Sequence, residues 1–230
     1  MEDLVTKAID TLRLGGPVLV ILFVLSTIAF TIILIKLLQF MILRVGDQSF
    51  VSLVLNHYRS GRIQDALHVL SKHRSPVARV IEVAMEGRQR RDVDEHVIRE
   101  EVDRIATEHL EHLRSYLRGL ELIAALSPLL GLLGTVLGMI DAFQQLEQAG
   151  SRINPSILSG GIWEALLTTA AGLAIAIPVL AVLNWLERIV QRTAHIMESA
   201  ATQVFTMVIQ QQPWTHGISN LHATSRQNVE

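Results

Sequence analysis

Three long runs of uncharged, mostly apolar residues constrain this chain more than any other feature. They cover residues 14–35, 122–140 and 165–186, which are 22, 19 and 22 residues long. The hydrocarbon core of a bilayer, roughly 30 Å thick, is crossed by about 20 apolar residues in a helix. One such run could be a buried helix of a soluble protein. Three in a chain of 230 residues predict an all-α integral membrane protein with three transmembrane helices.

The first run could instead be a cleaved signal peptide. However, Glu2, Asp3 and Asp10 precede it, and no convincing small-x-small cleavage site follows it. It also exceeds the roughly 7–15 apolar residues of a signal peptide. We therefore interpret this run as an uncleaved span.

Composition and missing motifs exclude several function classes. Charged residues make up 18% of the chain and its net charge is −2, which argues against a nucleic-acid-binding protein. The absence of cysteine excludes a disulfide scaffold, a thiol nucleophile and a Cys-ligated metal. The chain has neither G-x-S-x-G nor a P-loop. We therefore predict that it is not an enzyme and has no cofactor.

Basic residues near the ends of the spans predict the orientation. Three stand in the N-terminal flank and the connection between the second and third spans: Lys7, Arg13 and Arg152. Seven flank the other ends of the spans: Lys36, Arg44, Arg104, Arg114, Arg118, Arg188 and Arg192. The N-terminus is therefore predicted to lie outside, and the C-terminus in the cytoplasm.

These predictions divide the chain into eight segments. Residues 1–14 form an outer interfacial helix, although a frayed terminus would fit the same short pattern. The remaining segments are the first span (15–35), a cytoplasmic helical domain (36–121), the second span (122–140), an outer hairpin (141–158), the third span (159–186), a cytoplasmic helix (187–212) and a mobile tail (213–230).

The second and third spans are predicted to extend into a cytoplasmic stalk. An apolar stripe without Gly or Pro leads into the second span, so one helix could run from Val93 to about Ala142. The third span continues in the same pattern to about Gln211. Earlier in the chain, Ser75 and Pro76 predict an N-cap followed by the first residue of a helix. Long helices with apolar stripes outside a membrane need partners, which predicts self-association.

Glu164 is the only charged residue in the otherwise apolar stretch from 153 to 186. It could be an interfacial carboxylate at a helix start, where the helix dipole favours it. It could also lie deeper and face the interior of a bundle, where acids mark ion pathways. The spacing alone leaves both interpretations open.

Two threonines follow Glu164. On a helical wheel, Thr168 lies about 40° from Glu164 and Thr169 lies about 140° away, which favours Thr168 as the pore-lining residue. Thr168, Gly172 and Ala176 continue a face of small residues. Pro178 removes one backbone hydrogen bond and could kink the helix.

The second span carries the motif SPLLGLLGTVLG, from Ser127 to Gly138. Gly134 and Gly138 form a small-xxx-small face that predicts close helix packing, with Gly131 one turn earlier. No strand precedes the motif and its spacing is wrong for a dinucleotide site. The hydroxyl of Thr135 could simply bond to a backbone carbonyl.

Two further groups of residues are interpreted without a special function. His109 and His112, with Glu108 and Glu111, do not have the spacing of a metal site, and we predict a solvated or inter-subunit face. Residues 88–91 are basic but lie beside acids, so we predict a solvated loop.

The second-span motif, followed by Glu164 and the segment ALLTTAAGLAIAIP, resembles the MotA/TolQ/ExbB proton-channel family, most closely its ExbB and TolQ branch. MotA-type members have four spans, whereas three are predicted here. The resemblance implies that Thr135, Glu164 and Thr169 are the pore residues. It therefore disagrees with the helical wheel about Thr168, which we keep as the second choice.

The resemblance also implies a bacterial inner-membrane assembly with its outer side in the periplasm. A homopentamer would surround the single-span helices of an ExbD-like or TolR-like partner that bears an essential aspartate. A TonB-like or TolA-like protein would carry motion driven by the proton gradient to the outer membrane. The alternatives are a TolQ-type role in envelope integrity and a non-conducting scaffold.

Overall fold

The structure is a computed structural model that describes residues 16–46, 48–90, 92–148 and 155–211, except the side chains of residues 155, 157 and 208–211. The described residues contain seven α-helices and no strand. The helices are α1 (Gly16–Ile42), α2 (Ser49–Arg59), α3 (Ile63–Ser71), α4 (Pro76–Gln89), α5 (Glu95–Arg114), α6 (Leu117–Gln148) and α7 (Pro155–Gln211). The predicted all-α fold is therefore confirmed.

The chain divides into two compact units. The apolar unit comprises Met1–Gln39 with Arg114–Arg188, and the amphipathic unit comprises Phe40–Leu113 with Ile189–Glu230. Within the described residues, three helical stretches are long and apolar enough to cross a membrane: Gly16–Ile42, Glu95–Gln148 and Leu158–Met207. Their number agrees with the three spans that the sequence predicts.

The apolar unit turns many of its largest side chains outward. Phe30, Trp163 and Ile177 are 68%, 71% and 66% exposed. In water, a large surface of this kind would be unfavourable, but lipid tails cover it at no such cost. The exposed side chains therefore fit a unit surrounded by lipid.

The amphipathic unit has the core of a soluble helical domain. Its largest fully buried side chains include Val54, Val80, Ile81 and Met85. They belong to one cluster of buried residues from α2, α3, α4, α5 and the last part of α7. The amphipathic helices cover this core with their apolar faces, as α-helices do in water.

The start of α4 agrees with the sequence prediction. Ser75 has extended backbone angles and is the N-cap, and Pro76 begins the helix. Proline suits this position because its missing N–H would have no partner in the first turn. The side chain of Ser75, however, makes no capping hydrogen bond.

The segment leading into the second span differs from the single helix expected from Val93 to Ala142. Helix α5 begins at Glu95 and ends at Arg114, and α6 begins at Leu117. Tyr116 between them has φ of 63°, a left-handed conformation that interrupts a right-handed helix. By contrast, α7 runs unbroken over 57 residues.

The helix bounds describe part of the predicted hairpin at 141–158, whose position outside the membrane stays a prediction. Helix α6 continues to Gln148 and α7 begins at Pro155, so much of that segment is helical. The predicted interfacial helix at 1–14 and the predicted tail at 213–230 lie outside the described residues.

Candidate functional site

Glu164 lies in the apolar unit, at the tenth residue of α7 (Pro155–Gln211). It is half-buried. A Cβ built on Gly16, the first residue of α1, would lie 3.8 Å from Oε1 of Glu164. The carboxylate therefore lies beside the beginning of α1, whose free N–H groups and positive dipole end favour a negative charge.

This position differs from an acid that caps its own helix. Glu164 is more than two turns inside α7, so it cannot serve the first free N–H groups of that helix. The carboxylate also lies beside the first residue of α1 rather than beside the middle of that helix. The carboxylate is thus close to one end of the apolar unit.

Thr168 and Thr169 both face α6, but they bond differently. Thr169 donates its hydroxyl proton to the carbonyl oxygen of Gly131 at 2.9 Å, which joins α7 to α6. Thr168 is only 2% exposed and donates to the carbonyl oxygen of Ala165 in its own helix at 2.7 Å. Its contact with Gly131 O is longer, at 3.4 Å. The structure therefore buries Thr168 between two helices of this chain.

Small residues allow α6 and α7 to approach closely. A Cβ added to Gly134 would overlap the side chain of Thr168, and one added to Gly131 would lie 2.9 Å from the Thr169 Cα. A Cβ on Gly138 would lie 3.2 Å from the Ala165 Cβ. These close approaches are those expected from a small-xxx-small face.

The contact continues toward the cytoplasmic end that the sequence predicts. A Cβ on Gly172 would overlap the carbonyl oxygen of Ser127 and lie 3.2 Å from the Gly131 Cα. Ser127 is fully buried, and its hydroxyl donates a hydrogen bond to Ile123 O in its own helix at 2.7 Å. Pro178 lies inside α7, which remains helical around it. A kink at this proline stays a prediction.

Thr135 does not join the cluster of Thr168 and Thr169. It is half-exposed and donates its hydroxyl proton to Leu132 O in its own helix at 2.6 Å. The backbone bond that the sequence allows for this hydroxyl is therefore present. The hydrogen bond of Thr135 thus stays within α6 and does not reach Glu164.

Sequence reasoning treated Lys36 only as an orientation marker, whereas the structure buries it completely. Its Nζ donates to Gln39 Oε1 at 2.8 Å and to Ser115 Oγ at 3.1 Å, and it lies 5.9 Å from the centre of the Tyr116 ring. Lys36 thus holds α1 against the interruption between α5 and α6. A lone lysine after an apolar run gives no sequence signal for this burial.

The described residues contain no cluster of three or more His, Asp or Glu side chains suited to a metal ion. In the amphipathic unit, burial lowers the pKa of His109 from its ordinary value, and neighbouring Arg79 and His112 add to this, whereas Glu108 opposes it. His109 is therefore held nearer its neutral form.

The fold and site together define an all-α, multi-pass membrane protein with a carboxylate among apolar helices. The sequence profile of the MotA/TolQ/ExbB proton channel family matches residues 72–199, more than half of the chain. The match includes Thr135, Glu164, Thr168 and Thr169. The chain belongs to this family, which is a family of channels rather than of enzymes.

Individual relatives carry the name of biopolymer transport proteins. The exbB1 protein of Vibrio cholerae is 42% identical over 94 residues, 39% of this chain and 41% of the relative. ExbB of Salmonella typhimurium is 36% identical over 85 residues, 37% of this chain and 34% of the relative. ExbB of Neisseria gonorrhoeae is 26% identical over 194 residues, which are 76% of this chain and 84% of the relative. The matches with the Vibrio and Salmonella proteins span less than half of those relatives.

Proposed function

We propose that this chain is the proton-channel subunit of an inner-membrane motor that uses the proton-motive force to energise TonB-dependent transport across the outer membrane. The observation that carries the proposal is the isolation of Glu164. It is the only ionisable side chain in the three predicted spans. Ionisable side chains are rare in membrane spans, and acids found there usually mark ion or proton pathways.

The position of Glu164 suggests its place in the path. Its carboxylate lies beside the first residue of α1, which is the outer end of that helix in the predicted orientation. Glu164 would therefore take up a proton from the periplasmic side. Each proton that crosses the membrane releases about 2.3 kcal/mol per 100 mV of potential, which is the energy available for motion.

The hydroxyls below Glu164 differ in how they could assist. Thr169 donates a hydrogen bond to α6, so a change in the bonding of this hydroxyl would alter the contact between α6 and α7. Thr168 is buried in the same interface but bonds within α7. We therefore assign Thr169 to the path with Glu164 and Thr135, as the resemblance implies, and keep Thr168 as the second choice.

One carboxylate cannot carry a proton across the bilayer. Hydrogen-bonded groups lie about 3 Å apart, whereas the hydrocarbon core is roughly 30 Å thick. Polar groups beyond Glu164, Thr135 and Thr169 are needed, and in this proposal other chains supply them. A homo-oligomer, which we take to be a pentamer, around an ExbD-like or TolR-like partner with a membrane aspartate would supply them. A TonB-like or TolA-like protein would then receive the motion.

The proposed location is the bacterial inner membrane, with the N-terminus in the periplasm and the C-terminus in the cytoplasm. The excess of basic residues beside the predicted cytoplasmic ends of the spans supports this orientation. Attachment of a membrane-impermeant label to a cysteine introduced near either terminus of intact cells would test it.

Proton flux through the reconstituted assembly tests the proposal. The chain and its single-span partner are placed in vesicles, and flux is measured under an imposed gradient. Glu164→Gln removes the titratable group while keeping the side chain's size, so flux should fall to the background of empty vesicles. Glu187→Gln is the matched control, because Glu187 lies in the same helix, is also half-buried and falls outside the predicted span. Equal flux in native and Glu164→Gln assemblies would refute the proton path and favour a scaffold.

Growth distinguishes the two motor roles. A strain with Glu164→Gln, confirmed at normal protein levels in the inner membrane, is grown on siderophore-bound iron as its only iron source. Loss of growth supports the TonB-dependent role. Normal growth together with new sensitivity to detergent supports the TolQ-type role in envelope integrity.

A further inference from the structure

The amphipathic unit contains a cavity that is separate in sequence from the residues of the proposed proton path. It has a volume of about 230 Å³, many times the roughly 10–15 Å³ that one water needs. Its lining is Ile42, Leu43, Arg44, Lys72, His73, Arg74 and Ser75. In the described part of the chain, no acidic residue lines it. The cavity thus combines three permanent cations with two apolar side chains.

Ser75 provides an observation that points to a ligand. Ser75 is only 4% exposed, and its hydroxyl oxygen is buried without a hydrogen-bond partner. A buried hydroxyl that bonds to nothing costs free energy, and proteins rarely leave one in that state. Ser75 is one of the residues that line the cavity, so a ligand oxygen that reached this hydroxyl from the cavity would satisfy it.

The backbone beside Ser75 favours the same kind of ligand. Ser75 is the N-cap of α4, a helix of 14 residues, and its side chain does not cap the first turn. Pro76 has no N–H, so the free donors of this turn are the N–H groups of Val77 and Ala78. The beginning of a helix attracts anions through these donors and its dipole.

The cations extend this attraction to the mouth of the cavity. Arg44, Lys72 and Arg74 are exposed, so their charges remain free to meet a ligand from solvent. Arg44 has φ of 45°, which is unusual for a residue with a side chain. The ring of His73 stacks on Phe50 with 4.4 Å between ring centres, which fixes one wall.

We propose that this cavity binds a phosphate group. Ser75 and the beginning of α4 would hold its oxygens, and Arg44, Lys72 and Arg74 would balance its charge. The group could belong to a phospholipid headgroup, because Ile42 and Leu43 closely follow the predicted first span, or to a soluble phosphate. The chemistry is the same in both cases, and the experiment separates the sources.

Titration of the purified full-length chain in detergent with inorganic phosphate tests the soluble source. Ionic strength is held constant with chloride, because salt screens the attraction between phosphate and the exposed cations. The native chain should bind phosphate saturably, and Lys72→Gln/Arg74→Gln should weaken binding about tenfold or more, the loss of at least one charge-assisted hydrogen bond. The double variant Arg62→Gln/Arg90→Gln removes the same charge from outside the cavity and should bind like the native chain.

Lipid retention tests the headgroup source. The same chains are placed in nanodiscs of mixed phosphatidylcholine and phosphatidylglycerol, and native mass spectrometry counts the lipids that stay bound. Retained phosphatidylglycerol in the native chain and the control variant, but not in Lys72→Gln/Arg74→Gln, identifies a headgroup site. Saturable phosphate binding without such retention identifies a soluble ligand.

Ser75→Ala tests whether the Ser75 hydroxyl takes part in binding. If Ser75 contacts the phosphate, this variant should weaken whichever binding is observed. A variant that lowers thermal stability but binds normally would remove Ser75 from the site. If neither phosphate nor phosphatidylglycerol distinguishes the cavity variant from its control, the proposal is wrong.

Discussion

The two units pack their helices in different ways. In the apolar unit, contact between α6 and α7 depends on glycines such as Gly131 and Gly134, while Ile177 faces outward at 66% exposure. In the amphipathic unit, Ile81 and Met85 are completely buried. The α6–α7 contact of the apolar unit thus depends on small residues, although Leu22, Leu120 and Leu186 are also fully buried in that unit.

This difference follows from the surroundings of each unit. In water, burial of a large apolar side chain stabilises the fold by about 1.5–3 kcal/mol. Lipid tails are as apolar as leucine, so burial of a large side chain between membrane helices gains little. Close packing of backbones then determines which helices associate. A substitution in one unit should therefore leave the packing of the other unit unaffected.

The largest expected effect comes from isoleucine truncation. Ile81→Ala should destabilise the amphipathic unit by about 2–5 kcal/mol, because it leaves a cavity in a packed core. Ile177→Ala removes the same atoms from an exposed position and should cost well under about 1 kcal/mol. Thermal unfolding of the full chain in detergent, followed by circular dichroism, compares them. Equal losses would contradict the proposed difference in surroundings.

The next effect concerns glycines in the apolar unit. Gly134→Ala places a Cβ against Thr168 and should cost about 1–3 kcal/mol through overpacking. Gly160→Ala meets nothing within 4 Å and should be neutral or slightly stabilising, because alanine favours helix. Proteolysis rates of the α6–α7 region report on both. Relief of the Gly134→Ala defect by Thr168→Ala would identify the contact responsible.

A smaller effect separates the two threonines. Thr169→Val removes the bond to Gly131 O, worth about 1 kcal/mol, and should lower proton flux about fivefold. Thr168→Val removes mainly a bond within α7 and should lower flux less. Flux through the reconstituted assembly measures both variants. The reverse order would favour the helical-wheel assignment of Thr168.

The smallest effect is a pH dependence confined to the amphipathic unit. Burial lowers the pKa of His109 in the folded chain, so the unfolded chain binds the proton more readily. The free energy of unfolding should therefore fall as pH drops through the ordinary histidine value of about 6.5. His109→Gln should reduce this slope. Hydrogen exchange at about pH 7.5 and 5.5 should detect the change in α5 and not in the described part of the apolar unit, which contains no histidine.

Much of the fold could be predicted from local pattern. The three apolar runs predict three membrane-capable helices, and Ser75 with Pro76 predicts the start of α4. The interruption at Tyr116 could not be predicted, because neither Gly nor Pro marks it. Its conformation is accompanied by a contact with Lys36, which lies far away in the sequence, after the first span.

The candidate site could likewise be predicted from the sequence only in part. Glu164 is conspicuous in the sequence because it is alone, and the glycine motif of the second span predicts a close helix contact. The wheel, however, compares residues only within one helix. It cannot tell that Thr168 is buried against Gly134 of α6, or that Thr169 bonds to Gly131.

The sequence by itself determined the composition of this protein's helices, the membrane as their surroundings and the isolation of Glu164. These properties depend on hydropathy and spacing, which are local. Only the tertiary structure decided that Glu164 lies beside the beginning of α1, that Lys36 is buried and that Ser75 lacks a partner. Each of these depends on which distant backbone comes near, and close packing rather than hydropathy decides that.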